Sequence, residues 1–186
     1  MKIEFDNVKL EIPESWKDIK LSEYEQWYML KPENRFEMVQ FVADVCKIDA
    51  KLLMQSPTQL FNIISDAIQF VFNQDFEPVN KCEIDGVDYF ISFSDKLTLG
   101  EYVDIEAVLE SESNNKLTEL LAILCRPVGE KYDPDLTEER IAKFKNISCY
   151  KALPLISFFL LKKRKSEEIL NHCLTVTDQA ELFLKD

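Results

Sequence analysis

The chain has 186 residues, enough for one domain or two small ones, and 46% of them are apolar, so a packed core is within reach and wholesale disorder is excluded. Lys and Arg number 22 against 34 Asp and Glu, a formal net charge of −12. That balance argues against nucleic-acid binding, whose affinity comes mostly from basic groups neutralising phosphates. Only three glycines occur, which disfavours phosphate-cradling loops and favours helices over a turn-rich sandwich.

Ile3, Phe5, Val8, Leu10 and Ile12 alternate with polar residues around Asp6-Asn7. The pattern predicts a β-hairpin over 3–12 with a tight turn, and Pro13 stops its second strand. Ser22-Glu23-Tyr24-Glu25 reads as a capping box with Ser22 at the N-cap and Glu25 at N3, opening a short helix that Pro32 ends. A second helix is expected over 34–46, where Phe36, Val39, Val42, Ala43 and Cys46 make one apolar face. Pro57 starts a third, running to about Asn73, with Leu60, Ile63, Ile64, Ala67, Ile68 and Val71 as its buried stripe.

Residues 81–93 form a second predicted hairpin around Asp85-Gly86. Thr98-Leu99-Gly100-Glu101 is another capping box, and its helix reaches about Glu110. A polar loop, Ser111 to Asn115, precedes a short buried helix over Leu117–Cys125, ended by Arg126-Pro127. Asp135-Leu136-Thr137-Glu138 reads as a third box, opening a helix over about 137–147. Further helices are expected over 149–164, with Pro154 at a kink or early turn, and from Ser166 to the C-terminus. The fold class is therefore α+β, predominantly α-helical with two β-hairpins.

The two hairpins introduce an internal echo. Ile3 to Val8 lines up with Cys82 to Val87 at an offset of 79, and Ile19 to Tyr24 with Leu97 to Tyr102 at an offset of 78. Each unit reads as hairpin, connector, then a helix headed by Glu-Tyr. A structural repeat would divide the chain at 1–78 and 79–186, two hairpin-plus-helices halves that also admit packing as one domain. Chance likeness between two hairpin-then-helix units remains the other reading. With a true repeat, strands of both hairpins would be able to join one small sheet, since a lone hairpin is barely stable.

Chemistry is sparse. The single histidine, His172, adjoins Cys173 on a predicted helix, where neighbours point about 100° apart and do not make a nucleophile pair. Five cysteines are scattered among apolar neighbours with no Cys-x-x-Cys pair, and read as reduced core thiols. Acidic pairs such as Glu138-Glu139 and Glu167-Glu168 fall at helix starts, where acids favour the dipole. No Gly-x-Ser-x-Gly, phosphate-binding loop, calcium loop or dinucleotide fingerprint occurs. No enzyme, cofactor, catalytic residue or metal site is expected. Lys162-Lys163-Arg164-Lys165 reads as a solvated helix end, with an anion or partner contact as the alternative. The N-terminus lacks the apolar stretch of a leader, and the longest apolar run, Leu153 to Leu161, is too short to span a bilayer.

Two places invite an interface. The aromatics Trp16, Tyr24, Trp27 and Tyr28 are either core under the first hairpin or anchors for a partner, and Trp16, Trp27 and Tyr28 are the interface candidates. Arg126 to Pro134 is the longest irregular stretch, and Arg126 and Tyr132 are its candidates, an ordinary connector being the other reading.

Ile12 to Ile19 with Leu21 to Tyr24, then Gly86 to Tyr89, Leu99 to Asp104, Leu120 to Pro127 and Phe158-Phe159, together carry a resemblance. The chain resembles small virion and assembly proteins of tailed bacteriophages, notably the crAss-like phages, over most of its length. The resemblance implies a head–tail ring or adaptor protein, homo-oligomeric, bound to other phage structural proteins and located in the virion after assembly in the host cytoplasm. A tail assembly chaperone absent from the mature particle is the runner-up. A small acidic regulatory or host-directed binding protein is the third reading. Neither nucleic-acid sequence recognition nor membrane association is expected.

Overall fold

The computed structural model describes residues 1–5, 8–73, 75–91 and 97–162. The fold is α+β and mostly helical, with two small antiparallel sheets. β1 (Lys2–Phe5) pairs with β2 (Val8–Glu11), placing Ile3 opposite Leu10. β3 (Lys81–Ile84) pairs with β4 (Val87–Ile91), with Cys82 opposite Tyr89. Their turn has positive φ at both Asp85 (51°) and Gly86 (78°), the backbone that suits a right-twisted two-residue hairpin. Replacing Gly86 with Ala is expected to cost about 1–2 kcal/mol, because a Cβ there crowds the following carbonyl. Thermal denaturation of Gly86→Ala checks this.

The two hairpins do not share a sheet, contrary to the expectation above. The free edge of β4 is taken by β5 (Cys125–Pro127), which sets Ile91 opposite Cys125 and Phe90 opposite Arg126. The end of the expected Leu117–Cys125 helix is therefore strand: α6 (Lys116–Leu124) stops one residue earlier.

Two helix starts follow different residues from those expected, and one short helix is unexpected. At α1 (Leu21–Trp27) the N-cap is Lys20, and Glu23, not Glu25, accepts the N-cap N–H at 3.1 Å. The cause is long-range. Lys20 bridges Ser148, Leu21 N–H donates to Ile147 O (2.9 Å) and Cys149 N–H donates to Ile19 O (2.8 Å), fixing extended backbone just before the helix. At α7 (Thr137–Phe144) no side chain caps the N-terminus. Asp133 instead accepts Asp135 N–H at 3.0 Å and opens a 3-10 turn, Pro134–Leu136, that leads into α7. A short helix, α3 (Ala50–Gln55), is capped by Asp49 accepting Lys51 N–H at 2.8 Å.

α2 (Arg35–Cys46) and α5 (Leu99–Glu110) form where expected. Asn34 caps α2 by accepting Glu37 N–H at 2.9 Å. α4 (Thr58–Ala67) ends short of Asn73 and gives way to a 3-10 turn, Gln69–Phe72. Two residues of the expected stripes, Phe36 and Ile63, are exposed, because among the described residues nothing covers them on α2 and α4. Residues 149–162 are helical through Pro154 and make α8. The helix expected from Ser166, with His172, Cys173 and most of the Lys162–Lys165 run, lies outside the described residues.

One core runs through both halves. Trp16, Trp27, Val42 and Ile64 belong to it together with Leu121, Leu124, Phe144 and Leu155. Backbone hydrogen bonds also join them, including Tyr150 N–H to Trp16 O (3.0 Å) and Leu21 N–H to Ile147 O (2.9 Å).

Candidate functional site

Arg126 and Tyr132 are brought together, at the first turn of α5. Thr98 caps that helix: its Oγ1 accepts Glu101 N–H at 3.3 Å, and the Glu101 carboxylate accepts Thr98 N–H at 2.7 Å and its hydroxyl at 2.9 Å. The same carboxylate accepts from Arg126 on β5, forming a buried ion pair. The Arg126 guanidinium lies 5.7 Å from the Tyr132 ring centre, and the Tyr132 hydroxyl donates to Asp104. Gly100 makes room for that ring, since a Cβ there would sit 3.2 Å from Tyr132 Cε1. Farther along the loop, Glu130 accepts from the buried Arg140 at 3.0 Å. The irregular loop between Arg126 and Asp135 is thus strapped to α5 and α7 by the side chains of Arg126, Tyr132 and Glu130.

Electrostatically the cluster is self-contained. Burial pushes the Glu101 carboxyl up, but the bonds from Arg126 and from Thr98 outweigh it and hold it below the usual carboxylate range. Burial and the Asp104 carboxylate push the Tyr132 hydroxyl well above the usual tyrosine range. Neither group is a poised acid or base near neutral pH.

Trp16 and Trp27 lie in the core, and Tyr28 is half-buried. Trp16 stacks on Trp27 at 6.5 Å, and Tyr28 stacks on Tyr24 at 5.2 Å. The candidate aromatics are therefore gathered with one another, but two of the three present no open surface.

A second polar contact has no local sequence signal of the usual kind. Glu25 on α1 is buried and accepts Thr118 N–H (2.9 Å) and Thr118 Oγ1–H (2.5 Å) at the start of α6. α6 has no side-chain cap of its own, so Glu25 supplies one from the other half of the chain. The visible clue is an acid at an inward position of the stripe Leu21, Tyr24, Glu25, Tyr28. Burial raises the Glu25 carboxyl despite the Thr118 bonds. Its folded form therefore binds a proton more tightly than its unfolded form, and its contribution to stability falls as pH rises above the ordinary carboxylate range. Glu25→Ala should cost about 1–3 kcal/mol by leaving Thr118 unpartnered. Glu25→Gln should cost less and remove this slope, so its stability relative to the parent should improve as pH rises; urea denaturation at a series of pH values checks both.

Cys46, Cys82, Cys125 and Cys149 are free thiols, and Cys173 lies outside the described residues. Burial pushes Cys46 up to about 12 and Cys82 to about 11, so neither supplies a thiolate near neutral pH. A cleft of about 620 Å³ opens between the first hairpin and the end of α2. Lys9, Glu14, Asp18, Glu23 and Lys47 line it, a mixed charged wall unlike the apolar lining of most small-molecule sites. Among the described residues no group of three or more His, Cys, Asp or Glu is placed to hold a metal ion, and no helix is long and apolar enough to cross a membrane.

No protein-family model matches the chain, and neither a curated protein nor a solved structure matches it.

Proposed function

We propose that the chain is a non-enzymatic structural protein of a tailed bacteriophage, a ring or adaptor component of the head–tail (portal–tail) region that acts through protein–protein interfaces. The observation that carries this reading is the resemblance borne by Ile12 to Ile19 with Leu21 to Tyr24, Gly86 to Tyr89, Leu99 to Asp104, Leu120 to Pro127 and Phe158-Phe159. Of those segments, the connector before α1 builds a seam between the halves, where Leu21 N–H donates to Ile147 O and Tyr150 N–H to Trp16 O. The net charge of −12 suits such a ring, because a negative lumen repels DNA and lets it slide. The polar groups buried in the fold support a scaffold role: Glu25, Glu101 and Arg126 are all engaged in holding elements together.

Mass spectrometry of purified particles tests the placement. Stoichiometric recovery from mature virions is the expected result. Recovery only from assembly intermediates would replace this reading with a tail assembly chaperone. Sedimentation of the purified protein, alone and with the products of neighbouring genes, should show a ring-sized homo-oligomer.

A further inference from the structure

The outward face of α5 is apolar where a surface helix is normally polar. Leu99 is 79% exposed, Tyr102 53% and Val103 52%, and Leu109 is exposed on the same side. The spacing of 99, 102 and 103 places them on one face, opposite the buried Glu101 and Ile105. A helix that is apolar on both sides is normally covered on both sides. Here the inward side packs on the core and the outward side meets solvent.

The charges on α5 are all negative. Its twelve residues contain Glu101, Asp104, Glu106 and Glu110 and no Lys or Arg. Glu101 and Asp104 are bound to Arg126 and Tyr132, which leaves Glu106 and Glu110 to continue the same face beyond the apolar first turns. Glu106, one turn on from Tyr102, pushes the Tyr102 hydroxyl above its ordinary range. Lys116 sits at the C-terminal end, where its ammonium donates to Leu109 O at 2.8 Å.

We infer that this face is a docking surface for an amphipathic helix of a partner protein, with an apolar row against Leu99, Tyr102 and Val103 and Lys or Arg residues against Glu106 and Glu110. Charge complementarity selects this occupant: two copies of the face would set like charges against each other, which costs several kcal/mol, whereas a basic rim is attracted. The inference rests on the reading of the chain as a binding protein, but not on its place in a virion.

The test uses the full chain and, as probe, a labelled synthetic amphipathic helix of leucine and lysine, followed by fluorescence anisotropy. The parent should bind it, more weakly as salt rises. The double variant Leu99→Asp/Val103→Asp adds negative charge while removing apolar area. It should bind at least about tenfold more weakly, whereas Phe36→Asp, on exposed α2 surface, should bind as the parent does. Unchanged or tighter binding by the double variant would show mere charge attraction and overturn the inference, as would absence of binding by the parent. Two further outcomes also overturn it. Self-association of the parent that the double variant abolishes would make a second copy the occupant. A melting temperature many degrees lower in the double variant would mean that the chain itself covers the face. Absence of the protein from purified particles would defeat the virion placement and leave these binding results standing.

Discussion

Arg126→Met is expected to lose about 3–5 kcal/mol of folding free energy at neutral pH, a large part of the stability of an ordinary domain. Arg126 is 4% exposed and its partner Glu101 is 1% exposed, so the pair has little water to fall back on. Removing the guanidinium leaves a buried carboxylate with only the Thr98 N–H and hydroxyl as donors. It also detaches β5 from the first turn of α5 and takes away the cation beside the Tyr132 ring. The pH dependence should change sign. In the parent, Glu101 lies below its ordinary range, so its stabilisation is full above that range and is lost as pH falls through the depressed value. In the variant, desolvation goes unopposed by Arg126 and raises the group, so stability should recover as pH falls toward the carboxylate range. The double variant Glu101→Leu/Arg126→Met should lie within about 2 kcal/mol of the parent, because a neutral pair carries no buried charge and only the cap is lost. Urea denaturation followed by circular dichroism measures all three proteins. A loss below about 1 kcal/mol for Arg126→Met would show that the pair does not hold the helix to the sheet.

That ion pair marks the boundary of what the sequence reading reaches. Thr98 and Glu101 announce a capping box three residues apart, and Asp85-Gly86 announces a tight hairpin, because those signals are local chemistry. The same Glu101 would satisfy the box equally well on a solvent-facing turn. Its bond to Arg126, 25 positions away, depends on β5 pairing with β4, and a three-residue strand has no periodicity to read. Glu25 and Thr118 are 93 positions apart, beyond any local pattern. α3 has six residues, too few to display a face. Periodicity also overreached: Phe36 and Ile63 continue apolar stripes, yet only packing decides whether an apolar position is covered. For the interface candidates the missing information was burial. Arg126 and Tyr132 do meet, but they meet inside a strap that holds the fold, while the exposed row on α5 was masked by its reading as an ordinary capped helix.

Trp16→Ala is expected to cost about 3–5 kcal/mol, and this result separates the two readings of the aromatic cluster. Trp16 precedes α1 on the connector, and its ring meets four others: edge-on to Tyr24 (5.7 Å), Phe70 (5.3 Å) and Phe76 (5.4 Å), and stacked on Trp27 (6.5 Å). Its carbonyl accepts Tyr150 N–H at 3.0 Å, so the ring sits where the connector is pinned to α8. Truncation opens a void bounded by α1, the 3-10 turn after α4 and the segment at Phe76, and rigid rings refill such a space poorly. Each lost aromatic pair adds about 0.5–1.5 kcal/mol to the area term. Trp16→Phe keeps much of the volume and should cost distinctly less. An interface anchor would behave in the opposite way: its removal would leave the melting curve of the isolated protein in place and abolish only assembly. Denaturation of the isolated chain therefore decides the matter before any partner is added. A Trp16→Ala variant as stable as the parent would take this ring out of the core and return it to the surface as a partner contact.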